Sequence, residues 1–445
     1  MTAFDIQRFV DGRRISRLHI VVLLICSLVM FIDGLDVFMV GKIAPAIARG
    51  FGEKPAAMTQ VFLFQQIGLA FGAFIASPLA DRFGRRRMLI IAATAFGVLT
   101  VASVFSQSLL QLAVLRAIAG LFLSGGLPMA TALIAEFTPL RRRSAFLAIA
   151  LSVYTAGGAA GGAIAAWLLD DYGWQSAFWI GGLVPLALVP LILLLLPESM
   201  QILAGRSGRD REIIRTLRRL DRGVELKGDE DFVAGDGSRR AESSSLFEIF
   251  KDGRARSTVV LWLCCVFSMG NIALLAAWMA TFFQEMAGVP IQKFGVLSLQ
   301  AFVGSVAGVL TMGWLMDRIS PVKLIPIYYV GLAASLVSLA LAPFGTPGFL
   351  AALIAWNFCQ SGGQAGLNNL AALIYPASMR STGLGWAGGA GRVGGVIAPL
   401  FGGVALASGM PLLQTLLIIA VPSLIVAMTL PLIGARARPL APVAV

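Results

Sequence analysis

Apolar runs of about twenty residues recur along almost the whole chain, and they restrict the folds that it can adopt. Hydrophobic residues make up 58% of the 445 positions and charged residues only 13%, whereas soluble domains carry about 25% charged residues. A run of about 20 apolar residues crosses a bilayer, and lipid offers no partner for backbone N–H and C=O groups. The sequence therefore predicts an all-α membrane protein.

Twelve such runs are present, and each is predicted to be a transmembrane helix. In chain order they cover residues 18–40, 58–80, 88–107, 110–134, 144–168, 177–196, 257–282, 294–315, 324–342, 349–372, 381–406 and 411–433. The connections between them are predicted to alternate between the two sides of the membrane.

Basic residues are concentrated at both termini and in every second connection, for example at Arg82 to Arg87 and Arg141 to Arg143. The opposite connections carry few of them. Because cytoplasmic loops hold this excess, both termini are predicted to lie in the cytoplasm, with the chain in a bacterial inner membrane. The formal net charge of +12 therefore reflects topology, and a nucleic-acid partner is not expected.

Three segments recur at separations of 233 to 237 residues. Residues 77–89 are similar to 313–324, 126–143 to 363–380, and 161–165 to 394–398. This repetition predicts two pseudo-symmetric six-helix halves, residues 1–197 and 257–445. A polar cytoplasmic loop at 198–256 joins them, with a surface helix expected around Glu212 to Leu220.

Two aspartates, Asp33 and Asp36, lie within the first apolar run, three residues apart. A helix places both carboxyl groups on one face, and intramembrane acids usually line a pathway because they are costly in hydrocarbon. Burial and a neighbouring like charge favour the neutral form of a carboxyl group. Both are therefore the predicted proton carriers, and the alternative is a pair at a helix end that reaches headgroup water.

The six-plus-six arrangement with a long central loop resembles the major facilitator superfamily, whose halves are parallel repeats around a substrate site. The connection after the second run matches that superfamily's motif Gly-x-Leu-x-Asp-Arg-x-Gly-Arg-Arg, with Ser77 as the leading residue. The matching residues are Asp81, Arg82, Gly84, Arg85 and Arg86.

The resemblance implies that this motif gates transport as a cytoplasmic latch, in which Asp81 contacts the start of the eleventh helix. Asp317 and Arg318 form the weaker copy in the second half. Glu136, near Arg141 to Arg143, is predicted to form a gate ion pair.

Within that superfamily the chain resembles the aromatic acid:proton symporters. The residues that carry this likeness are Asp33-Gly-Leu-Asp36, the stretch from Gly125 to Pro139, and the stretch from Gly385 to Gly395. The resemblance implies a symporter that imports an aromatic or related organic carboxylic acid with protons, by alternating access. The fifth run, with Gly157 to Gly162, lacks the proline that is typical of drug antiporters.

Two arginines, Arg116 and Arg392, lie inside apolar runs. A guanidinium binds a carboxylate bidentately and stacks on aromatic rings, so both are predicted to bind the substrate. For Arg116 the alternatives are an ion pair with Asp36 or Asp33, or a side chain that reaches the headgroups. Further residues predicted to line the site are Tyr154, Asn271, Gln364, Asn368 and Trp386.

Other functions remain open from the sequence. An exporter of drugs or metabolites and a sugar or polyol symporter would share the fold, and a transporter-derived membrane sensor belongs to a different class. An enzyme is not expected, because no nucleophile and base or metal-ligand spacing is present. No cofactor is predicted, and the expected partners of a functional monomer are a small organic anion, protons and the lipid bilayer.

Overall fold

The computed structural model describes residues 3–205, 210–221, 224, 231–233, 249–251, 253–375 and 379–433. Twelve long helical segments dominate these ranges, and we number them as spans 1 to 12. Spans 1 to 6 are Arg17–Gly50, Met58–Phe83, Arg85–Ser103, Leu109–Leu123 continued by Gly126–Phe137, Leu140–Trp167 and Gln175–Leu195. Spans 7 to 12 are Ala255–Ala287, Ile291–Gln300 continued by Phe302–Met316, Pro321–Leu341, Pro347–Ile374, Arg380–Ala407 and Leu412–Thr429.

Eleven of these spans are long and apolar enough to cross a membrane, judged by length and composition. Span 10 is not among the eleven because five amide side chains lower its hydropathy: Asn357, Gln360, Gln364, Asn368 and Asn369. It carries no charged residue and packs against spans 8 and 9. The predicted twelve-helix, all-α fold is confirmed, while the residue boundaries 1–197, 198–256 and 257–445 stay a prediction.

Spans 1, 4 and 8 differ most from the sequence prediction. Span 1 continues to Gly50, ten residues beyond the predicted end, and contains Pro45. Span 4 is interrupted at Gly125, and span 8 is interrupted at Ala301. Pro128 falls in the first turn of the second helix of span 4, where its missing N–H costs no helical hydrogen bond.

The two ends of the bundle are packed differently. We call the end that carries Arg82 to Arg87 the basic end, and the other the opposite end. Near the opposite end, one continuous buried apolar cluster contains residues of both halves, including Met39, Phe62 and Trp278. Towards the basic end the first half has its own cluster, and the second half has two others. The halves therefore share a core at the opposite end only, among the described residues.

Glycines allow the closest approaches between spans. A Cβ atom at Gly34 of span 1 would overlap the carbonyl of Tyr154 in span 5, and one at Gly41 would overlap the carbonyl of Ala276 in span 7. Because dispersion contacts between backbones drive helix association in lipid, small residues are favoured at such crossings. Gly34 thus joins two spans of the first half, and Gly41 lies on the seam between the halves.

The amino-terminal segment packs against the central loop at the basic end. Strand β1 (Ala3–Asp5) pairs in parallel with β2 (Asp231–Val233), an element that the sequence analysis did not predict. The predicted surface helix is confirmed as Asp210–Leu220, and Arg13 forms a 2.7 Å ion pair with Asp221 just after it. The rest of the predicted 198–256 loop lies largely outside the described residues.

Candidate functional site

Asp36 and Arg116 form a fully buried ion pair inside the first half. Their side chains are 1% and 0% exposed, and Arg116 Nη2 donates to Asp36 Oδ2. Gln65 Nε2 donates to the same oxygen at 3.4 Å, and Arg116 Nη1 donates to Thr100 Oγ1 at 3.4 Å. The pairing that the sequence left open as an alternative for Arg116 is therefore present.

The surroundings of the pair leave no surface for a ligand on Arg116 in this conformation. The guanidinium carbon lies 5.9 Å from the ring centroid of Phe96 and 5.7 Å from that of Phe178. Asp36 Oδ1 and Arg116 Nε are buried without a hydrogen-bond partner among the described residues. A buried ion pair must offset the cost of removing both charges from water. Because few other hydrogen bonds help to do so here, each charge depends on the other.

Asp33 lies one helical turn earlier and has different neighbours. Its side chain is 6% exposed and makes no ion pair with a described residue. The backbone N–H of Leu127 lies near it, and the charges that act on it belong to Arg392 and Asp36. The N–H of Leu127 is available because it lies in the first turn of a helix, where N–H groups lack intrahelical partners. Both aspartates lie mid-bundle, so the headgroup alternative is wrong.

Arg392 of span 11 faces Asp33 from the second half. Its side chain is half-buried and makes no hydrogen bond or ion pair with a residue that the structure describes. Its charge acts on Asp33 and on the hydroxyl of Tyr154 in span 5. The structure thus brings together three predicted site residues, one of them from the other half of the bundle.

A second polar group follows spans 7, 9 and 10. Ser268 Oγ donates to Gln364 Oε1 at 2.6 Å and is hydrogen-bonded to the Tyr329 hydroxyl. Gln364 Nε2 donates to Asn368 Oδ1 at 3.1 Å. Asn368 is exposed, so this chain of hydrogen bonds leads from the buried tyrosine to an accessible amide. Ser268 and Tyr329 were not predicted as site residues from the sequence.

Two predicted substrate ligands lie elsewhere. Asn271 is buried and donates from Nδ2 to Ser423 Oγ at 2.9 Å, so it joins spans 7 and 12 within the second half. Trp386 stacks on Trp262, with ring centroids 5.9 Å apart. It precedes Arg392 by six residues, about 9 Å along a helix, towards the basic end. Neither is placed beside Asp33.

The predicted gate residues form a network at the basic end. Arg85 pairs with Glu136, and Asp81 lies 3.7 Å from Arg85 with its side chain 70% exposed. Glu136 was predicted to form a gate ion pair, and its partner is Arg85 of the neighbouring span 3 and not one of the arginines nearby in the chain. Two more interactions complete the network: Ser199 Oγ donates to Glu136 at 2.6 Å, and the backbone N–H of Arg86 donates to Glu198 at 3.0 Å.

Gly84, the centre of the motif, has φ +107° and lies against the carboxylate of Glu198. Only glycine adopts such a backbone angle at little cost. Glu198 and Ser199 were missed as site residues, although Pro197-Glu198-Ser199 is visible in the sequence. In the second half, Arg318 lies 4.0 Å above the Trp314 ring, and Asp317 is exposed without an ion pair to a described residue.

Arg82 lies 5.5 Å from the Phe83 ring centroid beside this network. The described part of the chain contains no group of three or more His, Cys, Asp or Glu residues that could hold a metal ion.

The arginine and aspartate side chains at the seam between the halves are the chemically distinctive groups of the bundle. Such a site in a twelve-helix bundle defines a multi-pass membrane transporter.

Comparison with known proteins identifies the family. The model of the Major Facilitator Superfamily matches residues 26–399 and 261–443, and the chain belongs to this superfamily. The inward-open xylose transporter XylE from E. coli has the same fold, with a TM-score of 0.71, 14% identity, and 92% of this chain and 95% of that chain covered.

Curated relatives extend over nearly the full length. The gallate transporter of Pseudomonas putida is 34% identical over 93% of this chain and 92% of that protein. The 4-hydroxybenzoate transporter PcaK of Pseudomonas putida is 34% identical over 95% of this chain and 94% of that protein. These names are those of transporters of aromatic acids and not of enzymes, which confirms the resemblance seen in the sequence.

Proposed function

We propose that this protein imports an aromatic carboxylic acid together with protons, by alternating access, across a bacterial inner membrane. The observation that carries the proposal is the half-buried side chain of Arg392, which makes no ion pair with a described residue and whose charge acts on Asp33 across the seam. A charge within a membrane bundle usually faces a partner or a substrate pathway, and a planar guanidinium fits a carboxylate bidentately. The names of the relatives support an aromatic acid as that partner.

Asp33 is the proposed proton carrier. Asp36 is held by Arg116 within the first half, whereas Asp33 lies beside a charge of the second half. When Asp33 is protonated, Arg392 loses an opposing charge at the seam and can accept the substrate carboxylate. Proton and anion therefore bind to the same seam, which couples their movement.

The two ends of the bundle suggest how access alternates. The shared apolar core closes the opposite end, while the halves have separate cores at the basic end. The excess of arginine supports a cytoplasmic basic end, so the structure resembles a state after import. The network of Arg85, Glu136 and Asp81 is proposed to rearrange when the halves rock to the other state.

The test is uptake into proteoliposomes of labelled 4-hydroxybenzoate, benzoate, gentisate or gallate, with and without an inward pH gradient. Wild-type protein should accumulate at least one of them when the gradient is present. Arg392→Lys replaces the planar guanidinium, which can donate two parallel hydrogen bonds to a carboxylate, with an ammonium group of the same charge. Because hydrogen bonds to charged groups contribute about 1.5–3 kcal/mol, it should raise KM about 10- to 100-fold. Arg256→Lys, at an exposed arginine of the basic end, is the matched control.

Asp33→Asn should leave substrate binding intact and abolish accumulation driven by the pH gradient. Gradient-driven uptake that persists in Asp33→Asn would contradict the proton role, and a normal KM in Arg392→Lys would contradict the carboxylate role. Export of an acid against its gradient would favour an exporter. Uptake of sugars would favour a sugar or polyol symporter, and binding without transport would favour a membrane sensor.

A further inference from the structure

We propose that the basic end carries a binding site for the phosphate group of an anionic phospholipid. The site is a cavity of about 500 Å³ between the end of span 6, the start of span 3 and the helix Asp210–Leu220. Four arginines line it: Arg86, Arg87, Arg215 and Arg219. The cavity lies apart from the seam where the transported acid is proposed to bind, and two of its lining residues, Arg86 and Glu198, also belong to the gate network.

Two of the arginines fix the walls of the cavity. Arg86 donates from Nη2 to the carbonyl of Leu193, and Arg219 donates from Nη2 to the carbonyl of Leu195 at 3.2 Å. These carbonyls belong to the last turn of span 6, where unpaired C=O groups carry partial negative charge that attracts cations. Both side chains are thereby held at the membrane end of the cavity.

The other two arginines are available for a ligand. Arg87 and Arg215 are exposed, and neither makes a hydrogen bond or ion pair with a residue that the structure describes. The cavity also contains Glu198 and Glu212. Glu198 already accepts hydrogen bonds from two backbone N–H groups, each at 3.0 Å. Four guanidinium groups against two carboxylates leave a positive surplus, and guanidinium donors suit phosphate oxygens.

Apolar surface beside the cavity identifies the phosphate as that of a lipid. Leu193 and Leu194, at the end of span 6, are 48% and 78% exposed, so an acyl chain could lie along the span below the headgroup. The helix Asp210–Leu220 buries Ile213 and Leu217 and directs its arginines outward. Basic amphipathic helices and basic pockets beside transmembrane helices bind anionic headgroups in this way.

The experiment measures lipid binding to the purified full-length protein by native mass spectrometry. The protein is titrated with dioleoylphosphatidylglycerol or with the zwitterionic dioleoylphosphatidylcholine. Wild-type protein should retain phosphatidylglycerol selectively. Each basic residue near an anionic surface contributes about 1 kcal/mol, so Arg87→Gln with Arg215→Gln should weaken that binding about 10- to 30-fold. Arg256→Gln with Lys323→Gln removes two exposed charges of the basic end in the second half and should bind as wild type does.

Thermal unfolding shows whether each variant is folded. If the double glutamine variant is not folded, Arg87→Lys with Arg215→Lys is used in its place. This variant keeps both charges but loses the planar guanidinium groups, and it should bind with intermediate affinity. Wild-type binding by a folded Arg87/Arg215 variant would overturn the site, and so would an equal loss in the control. Displacement of the lipid by an equal concentration of inorganic phosphate would point to a free phosphate ligand and overturn the lipid assignment. Because the readout is binding, it does not depend on transport.

Discussion

Removing one member of the buried pair Asp36–Arg116 should destabilise the protein far more than removing the charge of Asp33. Asp36→Leu leaves the guanidinium of Arg116 with no opposing carboxylate, in a position where its side chain is 0% exposed. Arg116→Met leaves the carboxylate in the same position. Asp33→Asn removes a charge that has no ion-pair partner among the described residues.

The magnitude follows from burial. Loss of one partner of a buried ion pair costs about 3–5 kcal/mol, because the remaining charge stays desolvated. Gln65, which donates to Asp36, and Thr100, which accepts from Arg116, both lie at 3.4 Å, at the long end of hydrogen bonding, and cannot replace the missing charge. We therefore expect a loss near 3 kcal/mol for each single variant. Asp36→Leu with Arg116→Met removes both charges and should recover most of that loss, since apolar replacements of buried pairs are often neutral.

The assay is thermal unfolding of the purified protein in detergent, read as a double-mutant cycle with Asp33→Asn as the matched control. Both single variants should unfold at clearly lower temperature than the wild type, while the double variant and the control unfold close to it. Additive effects of Asp36→Leu and Arg116→Met would refute the reasoning, because independent sites add and paired charges do not.

Two further predictions concern glycines. Gly84→Ala should lower the unfolding temperature and slow transport, because φ +107° costs a non-glycine residue about 1–3 kcal/mol and the new methyl group overlaps Glu198; unchanged unfolding and uptake would contradict this. Gly41→Ala should disfavour the conformation described here, since its Cβ overlaps the carbonyl of Ala276. The opposite end should then open more often, so that a cysteine introduced there is labelled faster by a thiol reagent. Unchanged labelling would contradict a close contact between the halves at Gly41.

The fold was predictable from the sequence because the membrane imposes it. Helices of bilayer length follow from apolar runs alone, and the internal repeat indicated two halves. The interruptions of spans 4 and 8 were not predicted, since apolar composition continues through Gly125 and Ala301. Strands β1 and β2 were also missed, because a three-residue pairing across more than 200 positions leaves no local pattern.

The site was predictable in its residue types but not in its pairings. The sequence placed Arg116 and Asp36 as potential partners, yet it equally allowed Asp33. It predicted an ion pair for Glu136 but did not identify Arg85, which approaches from another span, as the partner. Such choices depend on the rotation and register of neighbouring helices, which no local pattern records.

The different roles proposed for the two aspartates follow from helix geometry. Positions three apart on a helix differ by about 4.5 Å along the axis and about 60° around it. That offset places Asp36 in an ion pair with Arg116 of the same half, while the charge of Arg392 from the other half acts on Asp33. A contact within a half is unchanged when the halves rock as rigid bodies, but a contact across the seam must change. This is why we propose Asp33, of the two carboxyl groups, as the one whose protonation is coupled to the conformational change.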